Sequence, residues 1–228
     1  MDFKPFEDKI GYSFAEKRFI EQAFTHRSYL NENRAAGREH NERLEFLGDA
    51  VLELVVTEYL YAKYPEKPEG DLTAYRAALV NTISIADAAT KLGMNEFLLL
   101  SRGESRDIGR ARQIILANAF EALIGAIYLD RGYEPAKKFI GEQLFHKTDD
   151  VVANRLWQDA KSKLQELSQE KLGHTPTYEM VAQVGPDHDK TFTCSVTLGS
   201  ERVALGQGRS KQEAEQDAAQ KALAAKGW

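Results

Sequence analysis

The stretch His40-Asn41-Glu42-Arg43-Leu44-Glu45-Phe46-Leu47-Gly48-Asp49-Ala50-Val51-Leu52-Glu53 sets four carboxylates into a strongly apolar segment. Its apolar spacing predicts a helix opened by Asn41 and Glu42 and running through Leu60. On that helix Glu42, Glu45 and Asp49 fall at i, i+3 and i+7 and share a face. A run of acids on an amphipathic helix is ordinarily a solvated surface. Here Leu44, Phe46, Leu47, Ala50, Val51 and Leu52 surround them, so Glu45 and Asp49 are expected to be at least partly buried, where unpaired carboxylates are costly.

A second apolar helix, Ile114 to Leu129, repeats the anomaly, because Asn118 and Glu121, at i and i+3, are its only strongly polar residues. Facing pairs of oxygen donors from two helices suit a hard divalent cation, Mg²⁺ or Mn²⁺, whose charge offsets the repulsion between the acids. The bland alternative is an interhelical hydrogen-bond pair, satisfied and inert. A third acidic element, Glu69-Gly70-Asp71, reads as a turn in which Asp71 starts the next helix. Cys194 is the sole cysteine, which excludes an internal disulfide and a multi-cysteine zinc site. The five histidines lack metal-ligand spacing, and there is no Gly-x-Ser-x-Gly segment or phosphate-cradling glycine loop. Water activated by a metal ion remains, a chemistry suited to phosphodiester hydrolysis.

Outward from these helices, apolar residues recur at helical spacing from Phe14 to about Leu144, with breaks at Tyr64-Pro65, Glu69-Gly70, Leu92-Gly93 and Arg131-Gly132. The pattern weakens into a polar stretch beginning at His146, and residues 151–158 read as a linker between a domain 1–150 and a domain 159–228. The second part predicts a helix from Ala160 to Lys171, one strand carrying Tyr178, Met180, Ala182 and Val184, another carrying Phe192, Cys194, Val196 and Leu198, a short strand Arg202 to Gly206, and a helix Lys211 to Lys226. The fold class is therefore two domains, an all-α domain followed by a small α+β domain of order α-β-β-β-α.

The 228 residues are 43% hydrophobic and 29% charged, the composition of a globular protein. A net charge of −5 speaks at first against a polyanionic partner. From Asp159 onward, however, nine Lys and Arg meet ten Asp and Glu, so most of the excess acid lies in the first part, where a metal site needs it. The N-terminus mixes charges among isolated apolar residues, unlike a signal peptide, and Ile114 to Leu129 is short of the roughly 20 residues that span a bilayer. A cytoplasmic protein without a membrane partner is expected.

The segment His40 to Leu52 resembles the signature of the ribonuclease III family almost throughout. Thr25-His26-Arg27-Ser28, Glu69-Gly70 and Leu116-Ala117-Asn118-Ala119-Phe120-Glu121-Ala122-Leu123-Ile124-Gly125-Ala126-Ile127-Tyr128-Leu129-Asp130 join it, so the likeness extends over nearly the whole chain. The resemblance implies a helical endonuclease domain that forms a homodimer, with two active sites along a shared valley that accepts duplex RNA. It implies Mg²⁺-dependent cleavage giving 5′-phosphate and 3′-hydroxyl ends in rRNA and mRNA processing. By the same resemblance Glu45, Asp49, Asn118 and Glu121 are metal ligands, Asp49 and Glu121 are catalytic, Glu42 and Glu69 are supporting acids, and Phe46 lies in the dimer contact. The departure is Asn118, where the family more commonly has Asp: the amide keeps a carbonyl oxygen for a hard cation but removes one negative charge. That loss motivates an alternative, a catalytically silent protein that binds duplex RNA.

The order of elements after Asp159 resembles the double-stranded-RNA-binding domain, which reads the A-form duplex by shape. The resemblance implies three contact regions: Lys163, Gln165 and Glu166 on the first helix; Pro186 and His188 between strands; and Arg209, Ser210 and Lys211 at the last helix, where backbone N–H groups favour phosphate. Taken singly, these are a solvated helix face, a polar hairpin and an ordinary helix cap. Gln212 and Glu213 stand where the family commonly has Lys, so modest affinity from this module alone is expected.

Overall fold

The structure, a computed structural model, describes residues 1–33, 37–154, 157–186 and 190–228. His188 lies outside the described residues. The chain divides into two compact units, Met1–Trp157 and Gln158–Trp228.

The first unit is built from α1 (Lys4–Ile10), α2 (Lys17–Ala23), α3 (Arg27–Glu32), α4 (Glu42–Lys63), α5 (Glu69–Val80), α6 (Thr82–Lys91), α7 (Arg110–Arg131), α8 (Tyr133–Leu144) and α9 (Thr148–Ala153). α7 runs through its centre, packed on α4, α6, α2 and α8. Of its 22 residues, Ile115 to Ala117, Ala119, Phe120 and Ala122 to Ile127 are buried. By length and composition α7 would cross a membrane, but this burial gives its apolar surface to the protein interior, where each large side chain contributes about 1.5–3 kcal/mol. Gly132, at φ 84°, ends it, and Gly93, at φ 71°, follows α6, both in the left-handed region that glycine tolerates.

Three features of this unit depart from the sequence reading. α1 forms ahead of Phe14, with a proline in its first turn. Glu69-Gly70 is no break: both residues lie in the first turn of α5, which Pro68 precedes, and Asp71 follows inside that turn, where an acid favours the positive helix end. Val151, Val152 and Trp157, read as linker, pack against the core of this unit, with Trp157 edge-on to Tyr75 at 5.2 Å. The loose apolar spacing there is that of short α9 and one anchoring ring rather than of a solvated connection.

The second unit comprises α10 (Ala160–Leu172), β1 (Thr177–Val184), β2 (Thr191–Leu198), β3 (Glu201–Gly208) and α11 (Lys211–Lys226), the strands forming one antiparallel sheet in the order β1-β2-β3. Leu164, Val196, Leu198, Ala218, Ala219, Ala222 and Leu223 make its core. The expected alternation of β1 fails at its end. The register slips between Met180 and Ala182, Val181 becomes the extra residue of a bulge, and Val184 emerges exposed, because a one-residue slip exchanges the faces.

Candidate active site and RNA-binding residues

α4 begins where it does because Asn41 is tied down. Its side chain is buried and Nδ2 donates to the Ala23 carbonyl at 3.2 Å, while its backbone N–H donates to the Thr25 carbonyl at 2.9 Å. Thr25 in turn forms a parallel bridge with Leu99. The first turn of α4, with Glu42 and Glu45, is thereby fixed to the end of α2.

The crossing of α4 and α7 is made by two glycines that the sequence reading left without a role. A Cβ on Gly48 would lie 1.7 Å from the carbonyl oxygen of Glu121, and one on Gly125 would lie 2.3 Å from the carbonyl oxygen of Leu44. The backbones touch, and nothing larger than hydrogen fits. The signal was present in the sequence, since a glycine inside a helix costs about 1 kcal/mol against alanine and each long helix carries one.

This contact brings the two polar pairs together. Glu45, Asn118 and Glu121 are half-buried. Asp49, expected to be partly buried, is exposed. Gly48 occupies the position facing α7, which turns the next residue to the rim, although the Asp49 charge still acts on both Glu45 and Glu121. Burial first, then Asp49 and Glu45, push the Glu121 carboxyl up to about 7. Burial first, then Glu42 and Asp49, raise that of Glu45, and Asn118 partly restrains the rise. Among the described residues, every charge found to act on these two acids is negative.

Among the described residues no three His, Cys, Asp or Glu side chains are grouped closely enough to hold an ion as they stand. The donor set nevertheless fits a hard cation: three carboxylates and an amide oxygen around a crossing, with no positive side chain found to act on Glu45 or Glu121 among the described residues. Glu42 is exposed at the edge of the group, 3.8 Å from Arg27 Nη1 and from His40 Nδ1. Glu69 stands apart on α5, exposed, accepting from Thr73 Oγ1 at 2.9 Å.

In the second unit Lys163 is half-buried, while Gln165, Glu166, Pro186, Arg209, Ser210 and Lys211 are exposed. Ser210 Oγ accepts from the Glu213 backbone N–H at 3.1 Å, and Glu213 Oε2 accepts from the Arg209 N–H at 2.9 Å. Glu213, noted for standing where lysine is common, therefore secures the start of α11 in a reciprocal cap. Glu166 accepts from Gln158 Nε2 at 2.6 Å. The reading also passed over a run of arginines, Arg102, Arg106, Arg110 and Arg112, on the approach to α7; the first three are exposed. Their close spacing was the available signal.

Residues 16–148 match the model of the Ribonuclease-III-like family, and residues 160–226 that of the double-stranded RNA binding motif. The chain belongs to the ribonuclease III family, whose nucleases are metal-dependent. It is 47% identical to Ribonuclease 3 of Bacillus licheniformis over 97% of this chain and 89% of that protein, and 46% identical to Ribonuclease 3 of Enterococcus faecalis over 95% and 94%. The nuclease domain of ribonuclease III from Campylobacter jejuni, a structure described for flexibility in the region involved in dimer formation, is 42% identical and superposes with a TM-score of 0.56 over 62% of this chain and 98% of that one.

Proposed function

We propose that this chain is a homodimeric endoribonuclease that hydrolyses double-stranded RNA with Mg²⁺, Mn²⁺ serving as a substitute, and acts in the cytoplasm on rRNA and mRNA precursors. The observation that carries the reading is the glycine crossing, which brings Glu45 and Asp49 of α4 beside Asn118 and Glu121 of α7, where the charges acting on Glu45 and Glu121 among the described residues are negative. Glu45, Asp49, Asn118 and Glu121 hold the ion, with Asp49 and Glu121 catalytic. When bound, the ion supplies the positive charge that lowers the pKa of an attacking water. Burial and the neighbouring acids push the Glu121 carboxyl up to about 7, and a bound cation would favour its ionised form. Asp49 is exposed at the crossing, Glu42 supports from its edge, and Glu69 would act from α5, apart from the group.

Residues 1–150 carry the cleavage and residues 159–228 grip the duplex, through Lys163, Gln165 and Glu166 on α10, Pro186 and His188 between strands, and Arg209, Ser210 and Lys211 at α11. Arg102 and Arg106, exposed ahead of α7, would add phosphate contacts. The dimer is supported by Phe46, a large apolar side chain 83% exposed, in a groove of about 810 Å³ where Phe19, Leu47 and Leu129 are mixed with charged Arg18, Glu21, Arg38, Glu39 and Arg43. The silent-binder alternative rested on Asn118 alone, and an amide oxygen remains a donor for a hard cation.

The test is incubation of the purified protein with a long RNA duplex and with its single strands, in Mg²⁺, in Ca²⁺ and in chelator. Cutting of the duplex alone, and only in Mg²⁺, is expected. A duplex that is shifted on a gel but never cut would return the case to the silent binder.

A further inference from the structure

The second unit carries proposed RNA contacts on two helices, Lys163, Gln165 and Glu166 on α10 and Arg209, Ser210 and Lys211 at the start of α11, so their separation depends on how the helices are fastened together. α11 is seated on β3, where a Cβ on Gly208 would lie 2.5 Å from the Glu213 Cβ and 2.6 Å from the Ala214 nitrogen. α10 makes its main contact with α11. Of α10 only Leu164 and Ser168 are buried, and in the first two turns of α11 only Ala214 is. Packing therefore pins α10 at Leu164 and leaves its first turn to polar groups, since one alanine buries too little to fix an angle.

Those groups form a clamp. The Gln216 amide grips the start of α10 with both ends: Nε2 donates to Asp159 Oδ1 at 2.8 Å, and Oε1 accepts from the Lys161 backbone N–H at 3.3 Å. Asp159 is also the N-cap of α10, accepting from the backbone N–H groups of Lys161 at 3.0 Å and Ser162 at 3.1 Å. Lys161 Nζ donates to Glu215 Oε2 at 2.6 Å and lies 4.9 Å from the centre of the Tyr178 ring on β1. Lys161 precedes Lys163 by about 3 Å along α10, and Glu215 follows Lys211 by about 6 Å along α11, at the helical rise per residue.

We propose that Gln216 and Glu215 are positioning residues for duplex recognition: they set the angle of α10 about Leu164, and through it the spacing of the two contact sets that favours an A-form RNA duplex over B-form DNA. The inference rests on the proposed RNA contacts and deepens them. Reading a duplex by shape needs contacts at a fixed separation, whereas attraction to phosphate charge does not. Loss of the clamp therefore costs selectivity more than it costs charge-driven binding.

The experiment uses the full chain in chelator, so that binding is read without cleavage, and compares affinities for an RNA duplex and a DNA duplex of the same sequence. Gln216→Met keeps volume and charge but can make neither bond; it is expected to bind RNA about tenfold more weakly with DNA binding nearly unchanged. Lys161→Glu, which faces Glu215 with like charge, is expected to lower the RNA-to-DNA ratio as well, and Lys161→Glu combined with Glu215→Lys to restore it. Melting curves accompany each variant. A change that merely loosens the fold lowers both affinities by one factor, so an unchanged ratio in Gln216→Met, or no recovery in the double variant, overturns the inference while leaving the RNA contacts standing. Lys211→Ala is measured beside them: if it binds RNA as the unaltered chain does, the contact assignment at α11 fails, and the inference with it.

Discussion

At the α4/α7 crossing Gly48 lies against the carbonyl of Glu121, and at the α11/β3 contact a Cβ on Gly206 would come within 2.1 Å of the Ala218 nitrogen and 2.3 Å of the Ala214 oxygen. Both units bring backbones into contact through glycine, but they place their functional groups differently. In the first unit the close approach is the candidate site: half-buried acids sit on the crossing and are held against their own repulsion. In the second the close approach seats α11 on the sheet, and the proposed RNA contacts Arg209, Ser210 and Lys211 are exposed at its start. Strained chemistry is kept in a large core that can bear its cost, whereas shape recognition is displayed by unstrained surface residues on a small one.

The comparison can be broken or sharpened by experiment. Glu121→Ala should lower cleavage on the order of 10³-fold or more while gel-shift affinity for duplex RNA changes little, because it removes an oxygen from the crossing and nothing from the gripping surface. A variant that still cuts would remove Glu121 from the chemistry. Gly48→Ala should cost about 3 kcal/mol by overfilling the crossing, seen as a lower Tm of the first unit with loss of cleavage. Gly206→Ala should cost about 2 kcal/mol in the second unit alone, weakening RNA binding while the isolated cleavage of short duplexes persists. Indistinguishable phenotypes for these two glycines would erase the contrast.

A smaller effect is expected from pH. The unfolded chain releases the Glu121 proton near the ordinary 4.5, whereas the folded chain holds it to about 7. The folded state is therefore favoured at low pH, and the metal-free protein should lose stability as pH rises through that window, on the order of 1–2 kcal/mol after solvent screening. Melting in chelator between those values should show the decline, and saturating Mg²⁺ should flatten it; a rising profile would contradict the buried-acid account. Smallest is Lys211→Ala, which should weaken duplex binding uniformly across sequences and reduce the salt slope by about 1, read from affinities at several ionic strengths. A sequence-selective loss would point to base readout instead.

Much of this arrangement was legible in the residues. The two long helices follow from apolar periodicity, and the anomaly of Asn118 and Glu121 stands out because everything around them is apolar. The second unit's order of elements was legible from alternation and turn residues, with β3 found as Glu201–Gly208 rather than Arg202–Gly206. What escaped depended on how elements meet. The exposure of Asp49 is set by which residue of α4 faces α7, and local pattern cannot tell a buried face from a rim one residue away. The bulge at Val181 is a property of the paired strand, invisible in β1 alone. Gly48 and Gly125 were in plain sight, but a glycine's meaning lies in the atom opposite it.

The contact between Gly48 and Gly125 also defines what would have to travel if this centre were built into another scaffold. Leu44 to Asp49 and Asn118 to Gly125 behave as one cassette, since the carbonyls of Leu44 and Glu121 are the very atoms that each glycine leaves room for. Grafting the acids onto a helix pair with ordinary spacing would reproduce the inventory and lose the centre. Carrying the two bare backbone faces together would transplant the spacing, and with it the geometry that the acids depend on.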